Sequence, residues 1–219
     1  MSTFLSHLHE DLRRSRLTRR GASGRFSSED PVGKTYPRME LVALPEPEAL
    51  RMPLDAALKM RASAQTCNTA PLSRGELGTL LGHALRTNGA AHRPYPSGGA
   101  RFPIETYFAG SLAQEAETAA FHYRPDLHAL ERLWNLPRDI EFDSLVPHVK
   151  PDEFQCSGLL IFTSVWERSA AKYGDFAYPL SLLEAGHAAQ NILLAAAALD
   201  LHARPMGGRI FNRGFKALA

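Results

Sequence analysis

The spacing of apolar and polar positions changes along the chain, and each change predicts a different element. Leu, Ala, Glu and Gln dominate the run from Leu180 to Leu201, which predicts one helix of about twenty residues. The run is apolar nearly all round, so we expect the helix to be buried. Glu184, His187 and Asn191 interrupt it at helical spacing and form one polar stripe. A buried polar stripe needs partners from the protein or from a ligand.

Shorter elements surround this helix. A proline near the first turn predicts a short helix over 53–60, and Ser73 with Glu76 has the spacing of a capping box for a helix ending near Leu85. We also expect a helix over 126–136, followed by an irregular stretch long enough to form a lid. Apolar runs predict three strands, the first two paired with each other, over 104–109, 118–123 and 157–164.

Composition describes an ordinary globular protein of 219 residues, 44% hydrophobic and 22% charged. The formal net charge of +2 gives no reason to expect a nucleic-acid partner. Two cysteines cannot build a disulfide framework, so we expect reduced core thiols. We see no secretory signal, and the histidines and cysteines lack the spacing of a metal site. These features favour a cytoplasmic protein with no metal and no membrane partner.

A basic N-terminal arm precedes the expected domain. Residues 1–45 are rich in arginine and poor in apolar residues, whereas 46–219 has the pattern of one compact domain. We expect the arm to be extended or wrapped around a partner, and a docking site for an acidic partner or for nucleic acid is the alternative. The arginines of the arm that support this interpretation are Arg13, Arg14, Arg16, Arg19, Arg20 and Arg25.

Three short segments carry residue types suited to binding or proton transfer. Arg61 and Ser63 lie where a helix gives way to a loop, and a guanidinium fork with a hydroxyl suits a phosphate dianion. Ser97–Gly99 lies between prolines, and its glycines allow a ligand close to the backbone. Lys172 and Tyr173 are two proton-transfer groups side by side at a helix end. A solvated arginine, an ordinary tight turn and a packed tyrosine are the simpler interpretations of the three.

The same segments, in order, resemble the nitroreductase superfamily. The first is Arg-Ala-Ser-Ala-Gln over 61–65, followed by Pro-Leu-Ser over 71–73. The second, Arg-Pro-Tyr-Pro-Ser-Gly-Gly-Ala-Arg-Phe-Pro over 93–103, is similar to the SagB/McbC-type branch. The third joins Lys-Tyr-Gly-Asp over 172–175 to Leu-Glu-Ala-Gly-His-Ala-Ala-Gln-Asn over 183–191. The resemblance covers roughly residues 44–210.

The resemblance implies an α+β fold with a central antiparallel sheet flanked by helices, and an obligate homodimer with two FMN sites at its interface. Gln65 stands where the family usually has a second arginine, so Arg209 or Lys216 is expected to complete the phosphate site. Pro179 replaces another common arginine, on the substrate side. The residues that the resemblance assigns to FMN are Arg61, Ser63, Gln65, Ser97, Gly98, Gly99, Gln190, Gly208 and Arg209.

Members of this branch oxidise thiazolines and oxazolines of peptides or carrier-bound intermediates to aromatic azoles, with a cyclodehydratase or a nonribosomal synthetase as partner. For that chemistry Tyr173 is the expected base, because the Lys172 cation beside it favours the phenolate. Dioxygen is the expected final electron acceptor. Three alternatives stay open: an NAD(P)H-dependent nitro or quinone reductase, a peptide Cα–Cβ dehydrogenase, and a non-catalytic subunit that binds flavin or scaffolds a synthetase.

Overall fold

A five-stranded antiparallel sheet forms the centre of the computed structural model, which describes residues 33–67, 69–88, 92–113, 115, 117–137, 140, 142 and 155–207. The strands are β1 (Glu40–Ala43), β2 (Ile104–Gly110), β3 (Ala119–Arg124), β4 (Ala129–Asn135) and β5 (Gly158–Ser164). Their order is β1-β4-β3-β2-β5, and each neighbouring pair is antiparallel. The sheet thus begins before residue 46, where we expected the domain to begin. Residues 1–32, which hold the arm's arginines, lie outside the described residues.

Four helices flank the sheet: α1 (Leu54–Met60), α2 (Arg74–Leu85), α3 (Trp166–Tyr173) and α4 (Ala177–Ala198). The capping box of α2 is confirmed, because Ser73 Oγ accepts from the Glu76 N–H at 3.0 Å and the Glu76 carboxylate accepts from the Ser73 N–H at 2.8 Å. The described helices do not include a membrane span, and this holds even for α4 with its 22 residues.

The main core lies between one face of the sheet and the helices α2 and α4. Leu77 and Leu81 of α2 and Ile192 of α4 pack against Phe108 of β2 and Phe121 of β3. The rings of Phe108 and Phe121 are stacked with their centroids 6.2 Å apart. The register confirms that β2 and β3 pair as expected.

The opposite face of the sheet buries charge, because side chains alternate between the two faces along each strand. His122 of β3 lies between two carboxylates, with Nε2 2.9 Å from Glu105 and Nδ1 2.8 Å from Glu131. All three side chains are buried. Arg124 donates to Glu131 at 3.1 Å, and Arg168 of α3 forms an ion pair with Glu105 at 2.5 Å. Glu105 and Glu131 therefore each have an arginine partner.

Two expectations are wrong. Residues 126–136 do not form a helix: a turn over 125–128, with His128 at φ +49°, leads into β4. Strand pairing with β1 and β3 on both sides outweighs the helix propensity of this segment. The helix α4 is not buried all round, since Leu182 and Leu183 are 57% and 60% exposed. Cys67 and Cys156 are free thiols, as expected, but both are half-buried and not in the core.

Candidate functional site

The structure brings the loop over 97–102, called the glycine loop below, against Lys172 and Tyr173, the lysine–tyrosine pair. A Cβ built on Gly99 would lie 2.5 Å from Tyr173 Oη and 2.7 Å from Lys172 Nζ. Glycine also suits the backbone here, because φ is +62°. Lys172 is exposed and Tyr173 half-buried, with the ammonium 5.4 Å from the tyrosine ring centroid. The ammonium of Lys172, the phenol of Tyr173 and the backbone of Gly99 thus lie together at the protein surface.

The glycine loop has a strained backbone and is held by an internal hydrogen bond. Ala100 and Phe102 have φ values of +54° and +44°, in the left-handed region that residues with a Cβ rarely adopt. Ser97 Oγ accepts a hydrogen bond from the Phe102 N–H at 2.8 Å, which closes the loop on itself. A Cβ on Gly98 would lie 3.1 Å from Leu180 of α4. The loop is therefore packed against the N-terminal part of α4.

A second group of predicted residues lines a cavity of about 380 Å³ near the other end of α4. Ser63 and Gln65 lie on one wall, and Leu193 and Ala197 of α4 form part of the other. The segment is held in place by the Ala64 N–H, which donates to the carbonyl of Ala203 at 3.0 Å. A hydroxyl and an amide at a cavity wall can both hydrogen-bond phosphate oxygens.

The two groups are separated within one chain. Leu180 contacts the glycine loop, whereas Leu193 lines the cavity, and this span of helix is about 20 Å long at 1.5 Å per residue. Arg61 caps the end of α1, two residues before Ser63, and is half-buried. Gln190 is exposed on α4, near the cavity end. Gly208, Arg209 and Lys216 lie outside the described residues.

The polar stripe of α4 is only partly as expected. Glu184 is 2% exposed, and Asn191 donates to the carbonyl of Pro94 at 2.9 Å, but His187 faces outward and is exposed. Burial raises the pKa of Glu184, although Ser97 and the Ile104 N–H nearby act to lower it. Neither of its carboxylate oxygens makes a hydrogen bond of good geometry to a described residue. This environment favours the protonated carboxyl.

Two buried arginines near the loop were missed as site residues. Arg93 donates to Tyr95 Oη at 2.8 Å, and its guanidinium lies 4.7 Å from the Phe102 ring centroid. Arg168 donates to the Phe102 carbonyl at 3.0 Å. Most arginines in proteins are exposed, so the sequence alone gives no reason to expect these two side chains to be buried. The one usable signal is that Arg168 precedes Lys172 by one helical turn.

We expect Glu184→Gln to stabilise the protein at neutral and alkaline pH. The folded-state pKa of Glu184 lies above its ordinary value of 4.5. The free energy of unfolding therefore falls as the pH rises from 4.5 through the folded-state pKa. Glutamine removes the ionisation, and the gain should be about 1 kcal/mol near pH 8 and shrink toward pH 4.5. Urea unfolding at several pH values measures it.

The matched control is Glu167→Gln, which removes an exposed carboxylate on α3 and should leave stability nearly unchanged. A Glu184→Gln protein that is less stable near pH 8 would show instead that the carboxylate is ionised and well paired there.

Comparison with known proteins identifies the family. The model described as Nitroreductase family matches residues 58–219. A protein of Methanocaldococcus jannaschii named as a nitroreductase, MJ1384, is 28% identical over 162 residues, which cover 73% of this chain and 80% of that protein. The microcin B17-processing protein McbC of Escherichia coli is 30% identical over 149 residues. That match covers 65% of this chain but only 54% of McbC.

Solved structures share the fold. A protein of Anabaena variabilis named as a nitroreductase matches with a TM-score of 0.71 at 21% identity, over 88% of this chain and 41% of that one. One from Ralstonia eutropha matches with a TM-score of 0.59 at 24% identity, over 78% and 80%. The E. coli microcin synthetase McbBCD complex with truncated pro-MccB17 matches with a TM-score of 0.56 at 24% identity, over 91% and 70%. With its antiparallel sheet and flanking helices, this chain belongs to the nitroreductase family of oxidoreductases.

Proposed function

We propose that this protein is an FMN-dependent dehydrogenase that oxidises thiazoline or oxazoline rings to thiazole or oxazole. The substrate is a peptide or a carrier-bound intermediate, and dioxygen is the final electron acceptor. The observation that carries the proposal is the contact of the Gly99 backbone with Lys172 and Tyr173. The similarity to McbC, named as a processing protein for microcin B17, supports the substrate class and a synthetase or cyclodehydratase partner.

The residues present fit FMN. Because Gly98 and Gly99 lack a Cβ, Leu180 and the Lys172–Tyr173 pair can lie directly against their backbone, which keeps the proton-transfer groups next to the loop where the flat ring is proposed to bind. Ser63 and Gln65 line a cavity of mixed polar and apolar residues, where their hydroxyl and amide can hydrogen-bond the phosphate, and Arg61 lies two residues before Ser63. FMN, when bound, supplies the two-electron acceptor. Gln190, Gly208 and Arg209 remain proposed contributors to the same binding.

The protein's own contribution is proton removal. Tyr173 Oη is the proposed acceptor of the proton from the azoline carbon, and the Lys172 ammonium lies close to it beside Gly99. Both groups lie against the Gly99 backbone in the left-handed loop, and substrate and ring are proposed to meet beside them. Loss of that proton together with a hydride, two hydrogen atoms in all, converts the ring into an aromatic azole, and FMN would be the hydride acceptor when bound.

A homodimer completes the proposed site. The glycine loop with Lys172 and Tyr173 lies at one end of α4, and the cavity of Ser63 and Gln65 lies near the other end. The two are too far apart for one ligand to reach both within a single chain. Two α4 helices packed antiparallel about a twofold axis would place the loop of one chain beside the cavity of the other. The face of α4 with Leu182 and Leu183 is exposed and apolar. A mainly apolar cavity of about 740 Å³ between this helix and β5 extends that surface.

A reductase that uses NAD(P)H is the second candidate. It is favoured by MJ1384, a relative of comparable length that is named as a nitroreductase. Stopped-flow mixing of the FMN-loaded protein with NADPH distinguishes the two functions. Rapid bleaching of the flavin, together with no oxidation of a thiazoline peptide, would support the reductase. A peptide Cα–Cβ dehydrogenase would oxidise an acyclic or cyclic dipeptide and leave the azoline intact.

We expect Tyr173→Phe and Lys172→Ala to lower the oxidation rate by about a hundredfold or more, because each removes part of the proton acceptor. The assay uses a synthetic peptide with one thiazoline and follows the loss of two hydrogen atoms by mass spectrometry. Flavin absorbance shows that FMN is retained. Tyr178→Phe, at an exposed tyrosine of α4, is the control and should keep full activity. Full turnover by Tyr173→Phe with bound FMN would overturn the assignment.

We expect Gly99→Ala to lose FMN affinity and activity by more than tenfold, because its Cβ would collide with Tyr173 and Lys172. Gly174→Ala is a control for strain without collision, since no atom lies within 4 Å of a Cβ built on Gly174 and its φ of +54° with ψ of −136° is at least as unfavourable for alanine as the φ of +62° with ψ of +26° at Gly99. Both substitutions add backbone strain, and only the first adds the collision. FMN titration by fluorescence measures the difference. Equal affinity loss in the two variants would assign the effect to the backbone alone.

We expect Leu183→Glu to convert a dimer into monomers and to abolish FMN binding, because it introduces charge into the proposed interface. Light scattering after size exclusion should give twice 24.1 kDa for the wild type and 24.1 kDa for the variant. Leu127→Glu, at a leucine of similar exposure in the turn before β4, should stay dimeric. A monomeric wild type that binds FMN would contradict the shared site.

A further inference from the structure

Arg168 lies on the helix that carries Lys172 and Tyr173, and it contacts the glycine loop. Its Nη1 donates to the carbonyl of Phe102 at 3.0 Å and lies 2.5 Å from Glu105 Oε1. The side chain is buried, and it lies on α3 one turn before Lys172. One guanidinium group thus connects the helix of the lysine–tyrosine pair, the glycine loop and β2.

The loop needs such a connection because its backbone is strained. Gly99, Ala100 and Phe102 all have positive φ, and strained conformations persist only where surrounding contacts hold them. The bond from Arg168 reaches the last of these three residues at its carbonyl, while Ser97 holds the same residue at its N–H. A second link lies next to it, where the Val165 N–H donates to the Pro103 carbonyl at 2.8 Å.

The anchor for Arg168 is itself fixed. Glu105 accepts hydrogen bonds from the Lys34 N–H at 2.8 Å and makes a contact of 2.9 Å with His122. Burial acts to raise the pKa of Glu105, but the hydrogen bond with His122 and the charge of Arg168 together lower it by more. The pKa of Glu105 therefore lies below its ordinary value. The carboxylate therefore stays ionised and holds Arg168 against the sheet.

We propose that Arg168 is a positioning residue for the candidate site. It holds α3 and the glycine loop at a fixed separation, so that the phenol of Tyr173 lies beside the backbone of Gly99. The effect on catalysis rests on the proposed azoline oxidation, whereas the effect on loop geometry does not. The role depends on the rigid, planar guanidinium, because a single nitrogen, Nη1, meets both Phe102 and Glu105, and a lysine ammonium has no equivalent plane that fixes the directions of its N–H groups.

Arg168→Lys and Glu105→Gln test this role, the second in case the first does not fold. Both variants should lower kcat for the thiazoline peptide by about tenfold or more while KM changes less than about twofold, since misplacement affects the reacting geometry rather than substrate binding. Hydrogen exchange of the backbone amides over 97–103 should become about tenfold faster, with α2 amides unchanged. Guanidinium ion should partly restore the kcat of Arg168→Ala.

Arg124→Lys is the matched control. Arg124 pairs with the buried Glu131 of the same charge network but contacts neither the loop nor α3 among its described hydrogen bonds. It should leave kcat and the exchange over 97–103 unchanged. An equal loss of kcat in Arg124→Lys, or unchanged exchange over 97–103 in Arg168→Lys and Glu105→Gln, would overturn the proposal.

The two hypotheses fail in different ways. If the wild type binds FMN but oxidises no azoline, the proposed function fails, and exchange over 97–103 still decides whether Arg168 holds the loop. If the wild type oxidises the azoline and Arg168→Lys does so at the same kcat, only the positioning role fails.

Discussion

Neutralising Glu105, a buried carboxylate within the sheet, is the constraint on which the site depends. A charge in the protein interior is stable only when it is paired, and removing one partner of such a pair costs about 3–5 kcal/mol. That is a large part of the roughly 5–15 kcal/mol that stabilises an average domain. Here the partner is Arg168, which also binds the Phe102 carbonyl. The same contact that satisfies the sheet therefore shapes the loop.

The helix α4 gives the molecule its second organising feature. Its inward face completes the main core with Ala188 and Ile192. Its N-terminal part packs against the glycine loop, and its C-terminal part lines the cavity of Ser63. The outward face with Leu182 and Leu183 remains exposed in one chain. One helix thus contacts the glycine loop, lines the cavity of Ser63 and leaves an apolar surface exposed.

Local signals in the sequence were sufficient for part of this picture. The capping box of Ser73 and Glu76 is a spacing rule within one turn, and it was correct. The segment 126–136 was misassigned because its strand pairing depends on β1, more than eighty residues away. The approach of Gly99 to Tyr173 was not predicted: the resemblance assigned Gly99 to FMN and Tyr173 to proton removal, and no periodicity relates residues so far apart. The ion pair of Arg168 had no local signal, because its partner lies on another element.

The position of β5 has a consequence for handling the protein. Among the described residues it is the last strand of the sheet, next to a mainly apolar cavity, and an edge strand can template association with other chains. If a second copy covers this edge, mass action links folding to association. Dilution would then lower the melting temperature, and flavin would be released together with the partner subunit. Heating or dilution without partner could leave the strand free for irregular self-assembly.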